Sequence, residues 1–126
     1  MKIYSINKNQ YVEIILDNFD GVPFIEATAD FGTFQGKSQS IHLENHTQFI
    51  QDFDSYITNR KLEPTLKGTY NFELKFYAKG LKTFVKVNIG DIKSSLAGTE
   101  YFGVYGEFAI DDEYLIEYLE HFKKLN

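Results

Sequence analysis

Three groups of residues in this chain have types and spacings that could do chemistry. His42 and His46 stand four apart, which on one helix face would offer two imidazoles to a metal. Asp111-Asp112-Glu113 is a run of carboxylates that could hold a divalent cation. Gly32-Thr33-Phe34-Gln35-Gly36-Lys37-Ser38 has the glycines, lysine and hydroxyl of a phosphate-binding loop. None of the three keeps its promise in context. The histidines straddle a strand end and a helix start, so their spacing loses its geometric meaning, and two nitrogens without a thiolate make a poor site. The acidic run opens a helix, where a capping aspartate and the helix dipole account for all three carboxylates. The glycine loop has three residues between its glycines where a phosphate loop has four, and it leads into a strand rather than a helix.

Glu13, Glu26, Glu73 and Glu107 fall on outward strand positions, and no spacing brings two of them to the separation that paired acid–base chemistry needs. Ser, His and Asp occur without a nucleophile elbow. His121 sits near a helix C-terminus, where a cation is favourable. No catalytic residue, metal ligand or cofactor is therefore assigned, and the chain is expected not to be an enzyme.

The elements that hold these residues follow from periodicity. Tyr101 to Ile110 alternates with period two: Phe102, Val104, Phe108 and Ile110 on one face, Tyr101, Tyr105 and Glu107 on the other. Leu115, Tyr118, Leu119 and Phe122 then recur at helical spacing, with Asp111 as the cap. Upstream, strands are expected over 11–17, 22–31, 38–43, 69–77 and 82–90. Asn18-Phe19-Asp20-Gly21 and Ala78-Lys79-Gly80-Leu81 serve as turns, and Ser94 to Thr99 as a loop. A helix over about 46–60 places Phe49, Ile50, Phe53, Tyr56 and Ile57 on one face, with Asn45 as N-cap, Gln48 at the capping-box position, and Arg60 and Lys61 at its end. The expectation is one α+β domain over residues 1–126: an antiparallel sheet of about six strands with two helices, near 46–60 and 112–124, on one face. The order is βββα–βββα, a possible repeat of roughly 60 residues.

Composition narrows the class of partner. The chain has 126 residues and no cysteine, so neither a disulfide framework nor a thiolate site is available. The N-terminus has no apolar signal region, and no stretch approaches the ~18 apolar residues of a membrane helix, so a cytoplasmic location without membrane contact is expected. Net charge is −5 and unevenly placed. Residues 1–89 carry ten basic and ten acidic side chains; residues 90–126 carry three basic against eight acidic. That argues against nucleic acid and fits a basic protein partner.

Aromatic content is 17%, all Phe and Tyr. By alternation the uncovered sheet face carries Tyr77, Phe84, Tyr101 and Tyr105 among Glu73, Lys75, Lys86 and Glu107. Large aromatics among charges on an open face mark an interface candidate, although cross-strand pairing also accounts for them. The residues assigned to partner binding are Tyr77, Phe84, Tyr101, Tyr105, Glu107, Glu117 and Glu120.

Leu62-Glu63-Pro64, the strand Tyr70-Asn71-Phe72-Glu73-Leu74, the strand through Val85 and Val87, and Phe108-Ala109-Ile110-Asp111-Asp112-Glu113-Tyr114-Leu115 form a pattern that resembles the WapI-type immunity proteins of bacterial polymorphic-toxin systems. The resemblance covers about residues 41–122. That family carries tryptophans around its first helix, and this chain has none. The resemblance implies a non-enzymatic cytoplasmic protein that neutralises a cognate toxin domain by occlusion, with no catalytic residues to carry over. A small-ligand or carbohydrate-binding module using the same aromatic face is the alternative.

Overall fold

The computed structural model describes residues 1–19 and 22–125. Its elements are β1 (Lys2–Tyr4), β2 (Tyr11–Phe19), β3 (Val22–Asp30), β4 (Gln35–Ile41), α1 (His46–Thr58), β5 (Thr65–Lys67), β6 (Glu73–Lys79), β7 (Lys82–Ser95), β8 (Gly98–Ile110), a 3-10 turn (Asp112–Tyr114) and α2 (Leu115–Lys123). The α+β class and the antiparallel pairing are as expected. The single sheet of about six strands is not: there are two four-stranded sheets, β1-β2-β3-β4 and β5-β6-β7-β8. The order is ββββα–ββββα, because each unit begins with a three-residue strand too short to show a period.

The two sheets meet at both lateral ends. Leu43, just past β4, bridges Gly68, just past β5. At the other seam Ile6 N donates to Ala109 O at 3.0 Å, joining the residues after β1 to the end of β8. Between these seams β4 and β3 approach β7, and β4 also approaches β8. Gly36 allows this closeness, since a Cβ there would lie 2.6 Å from Val104 Cγ2.

Alternation puts Ile3, Val12, Ile14, Ile25, Ala27, Ala29 and Ile41 of the first sheet in one core with Leu66, Leu74, Phe76, Val85, Val87, Phe108 and Ile110 of the second. Both helices close this core. Phe76 of β6 lies 4.7 Å from Phe53 and 6.0 Å from Phe122, centroid to centroid, and Phe49 meets Phe122 edge-on at 4.8 Å. Each such ring contributes about 2–3 kcal/mol through burial and gains further from edge-to-face contact. His46 Nε2 lies 2.9 Å from Phe122 O, a second tie between the helices.

Several local expectations shift for tertiary reasons. Asn45 does not cap α1; its amide instead grips the start of the second sheet, donating to Thr65 O at 2.7 Å and accepting from Lys67 N at 2.8 Å. Gln48 donates to Asp52 rather than back to the cap. α1 ends at Thr58, which frees Arg60 for a more distant partner. The strand expected from residue 69 starts at Glu73, because Tyr70 and Asn71 are left-handed, with φ of 59° and 58°. Asn18 and Phe19 belong to β2, not to a turn, and Asp20 and Gly21 lie outside the described residues. The loop expected over Ser94 to Thr99 is only the turn Leu96-Ala97, so β7 and β8 run on as one long hairpin. No helix among the described residues is long and apolar enough to cross a membrane.

Candidate functional site

The outward face of the second sheet is built by strict alternation on β6, β7 and β8. Register sets Tyr77 opposite Phe84, Lys86 opposite Glu107, Asn88 opposite Tyr105 and Ile92 opposite Tyr101. The structure thus brings Tyr77, Phe84, Tyr101, Tyr105 and Glu107 onto one face. Tyr77 and Phe84 stand 5.9 Å apart, Lys86 Nζ lies 5.3 Å over the Tyr77 ring, and Lys79 Nζ 5.3 Å over Phe84. Lys86 Nζ is 3.8 Å from Glu107 Oε2. Burial, with the Glu107 carboxylate beside it, pushes the Tyr77 phenol up to about 12, so it stays neutral at physiological pH.

Towards the tip the face becomes an arm. β6 pairs with β7 only as far as Asn88, whereas β7 and β8 stay paired to Ser95 and Gly98. Residues 91–102 therefore pair only with each other, and they are exposed throughout. Ile92, Leu96, Tyr101 and Phe102 display apolar surface there, with Tyr105 at the root of the arm 67% exposed. Tyr101 stiffens the root: its ring covers Gly90 and Gly103, which face each other across the hairpin, and its hydroxyl meets Asn88 Nδ2 at 3.0 Å. Sequence reasoning missed Ile92, Leu96 and Phe102. For Ile92 the signal was present, since alternation continues through it, but the serines and Gly98 suggested a loop. Phe102 was placed on the apolar face with Val104, Phe108 and Ile110, and it is exposed because the arm carries it beyond the core.

Glu117 and Glu120 do not join this group. Both lie on the exposed side of α2, whose buried side carries Leu115, Tyr118, Leu119 and Phe122. Phe122 meets Phe76 on the inner side of the second sheet, so α2 and Tyr77 are on opposite faces. Glu117 approaches His121 at 3.9 Å and Glu120 bonds Lys123 at 3.2 Å. The acidic excess of the final quarter is thus centred on the 3-10 turn and α2. The outward positions of β6 and β7, by contrast, include Lys75, Lys79, Lys82 and Lys86.

The other chemical candidates are accounted for locally. Asp111 Oδ1 accepts from Glu113 N at 3.0 Å as a cap, and Asp112 Oδ2 accepts from Arg60. His42 is exposed and edge-on to Phe24. Among the described residues no three His, Asp or Glu side chains gather as metal ligands would. Lys37 of the glycine loop pairs with Glu26 at 2.8 Å across the sheet. A cleft of about 470 Å³ lies between β1 and α2, lined by Lys2, Tyr4, Lys8, Tyr114, Glu117 and Tyr118 among others.

No family model, curated protein or solved structure matches this chain.

Proposed function

We propose that this chain is a non-enzymatic binding protein that neutralises a cognate toxin domain in the cytoplasm by occlusion, the role implied by its resemblance to WapI-type immunity proteins. The observation that carries the reading is the β7–β8 arm. Outward aromatics alone would not suffice, because the first sheet has its own, with Tyr4 and Tyr11 5.8 Å apart. The arm differs in that it holds Ile92, Leu96, Tyr101 and Phe102 in solvent beyond the sheet, where they add little to the core. Apolar side chains held out in this way suit capture by a partner surface. The acidic surface of α2 favours a basic partner, and it acts through long-range attraction rather than as a rim of the aromatic face.

The test is co-expression with a toxic domain encoded beside this chain. Protection is expected, and it should be lost when Tyr101, Tyr105 and Glu107 are all changed to Ala. Equal protection by the triple variant removes this surface as the site; no protection by the parent removes the immunity reading. In that case the small-ligand reading gains, and the cleft between β1 and α2, with its three tyrosines and mixed charges, is where a ligand would be sought.

A further inference from the structure

The free edge of β8 is self-complementary, and we propose that it pairs with the same edge of a second copy of this chain. Phase comes from the hairpin turn. Ser95 and Gly98 flank the two-residue turn Leu96-Ala97, and the pair flanking such a turn exchanges both backbone hydrogen bonds. Even-numbered residues of β8 therefore bond to β7, and odd-numbered residues turn their N–H and C=O outward. The bond from Ile6 N to Ala109 O has this phase. Thr99, Tyr101, Gly103, Tyr105 and Glu107 remain, and their outward backbone groups have no backbone partner among the described residues.

These positions are symmetric about Gly103. An antiparallel two-fold through Gly103 satisfies all of them at once. It sets Gly103 against Gly103, Tyr101 against Tyr105, and Thr99 against Glu107 of the second copy. On the other face Phe102 meets Val104, and Glu100 comes beside Gly106, over which the Phe31 ring of the same chain already packs. No like charges face each other directly, and the aromatic and apolar pairs are those that stabilise antiparallel sheets. Isolated proteins guard long edges with lysine, proline or bulges. Gly98–Ile110 has no Lys, Arg or Pro in its thirteen residues, and its register with β7 is unbroken. Pairing would fuse the two second sheets into one, with the outward face of Tyr77, Phe84, Tyr101 and Tyr105 continuous across the two-fold axis. This inference does not depend on the function proposed above.

Sedimentation velocity of the full chain over a concentration series tests it. A concentration-dependent dimer is expected. Tyr105→Pro removes an outward N–H in each copy without removing a bond to β7, and should weaken dimerisation by about thirtyfold or more. Tyr105→Thr keeps that N–H and should weaken it much less. A parent that stays monomeric, its edge left free for another protein's strand, overturns the proposal. So does equal weakening by both substitutions. If the proline variant does not fold, the cysteine-free background permits a second approach. In a chain carrying Thr99→Cys and Glu107→Cys, the two sulfurs are about 26 Å apart along the strand and cannot close on each other. Oxidation should link residue 99 of one copy to residue 107 of the other, as read by peptide mapping; absence of that link overturns the register and the proposal.

Discussion

Arg60 Nη1 donates to Asp112 Oδ2 at 2.6 Å, and this bond joins the residues after α1 to the turn that opens α2. The same guanidinium donates through Nη2 to Thr83 Oγ1 of β7 at 2.9 Å and stacks 5.0 Å from the Tyr56 ring. Thr83 Oγ1 is in turn 2.7 Å from Tyr56 Oη. One cation thus ties both helical segments to the second sheet.

Arg60→Ala should therefore destabilise the chain. Charge-assisted hydrogen bonds contribute about 1.5–3 kcal/mol, and partial exposure of the pair places the expected loss near the lower end, about 1–2 kcal/mol. Arg60→Lys should recover little, because one ammonium cannot reproduce the planar fork that serves Asp112 and Thr83 together. Denaturant titration of the three proteins measures both effects; full recovery by lysine would mean that charge alone matters.

The same pair sets an acid dependence. Burial is the largest single influence and would push the Asp112 carboxyl up, but hydrogen bonds from Arg60 and Thr83, together with the Arg60 charge, outweigh it and hold the group below the ordinary carboxylate range. A depressed folded-state value stabilises above the unfolded value, near 4, and that stability is lost as pH falls through the folded value. The melting temperature of the parent should thus fall more steeply below about pH 4 than that of Asp112→Asn. Parallel acid limbs in thermal melts of the two proteins would show that the pair contributes nothing.

Leu119 lies in the common core at 4% exposure, so Leu119→Asp removes roughly 1.5–3 kcal/mol of burial and adds the cost of placing a carboxylate there. We expect loss of at least ~3 kcal/mol. A variant that melts with the parent would mean that α2 presents a different face.

Tyr101 is packed onto Gly90 and Gly103, and a Cβ at Gly103 would lie 2.5 Å from its hydroxyl oxygen. Gly90→Ala should displace the ring and its hydroxyl from Asn88, costing about 1 kcal/mol or less because the ring is partly exposed and can swing, and accelerating amide exchange over residues 91–102. In a Tyr101→Ala background the same substitution should cost much less, since the group it collides with is gone. A double-mutant cycle reads the coupling directly.

What could be read from the sequence was what depends on neighbours a few residues away. Alternation gave the inward sets Val12/Ile14, Ile25/Ala27/Ala29, Leu74/Phe76 and Val85/Val87/Ile89, all buried in the structure or nearly so. Asp111 capped as expected because its partner, Glu113 N, is two residues on. Asn45 did not, because its partners in β5 are twenty or more residues away and compete with the local cap. β1 and β5, at three residues each, are held by their neighbours rather than by a pattern of their own. The shared face of Tyr77, Phe84, Tyr101, Tyr105 and Glu107 follows from parity alone. The separation of Glu117 and Glu120 from it depends on where α2 packs, through Phe122 on Phe76, which no local spacing encodes.

That separation gives the proposed binding surface a kinetic test. Tyr105 is an exposed aromatic beside the arm, whereas Glu117 and Glu120 lie on the helical side with His121 and Lys123 as close neighbours. A central aromatic anchor commonly contributes ~2 kcal/mol or more, about thirtyfold in affinity, and its loss appears mainly in dissociation. Charges outside the contact act on encounter and are screened over about 8–10 Å at moderate salt. With the partner captured on a sensor surface, Tyr105→Ala should speed dissociation and leave association nearly unchanged at any salt. Glu117→Gln with Glu120→Gln should slow association at low salt, lose that effect at high salt, and leave dissociation unchanged. If the glutamine pair instead speeds dissociation, α2 itself touches the partner, and the interface belongs on the helical side of the molecule rather than on the arm.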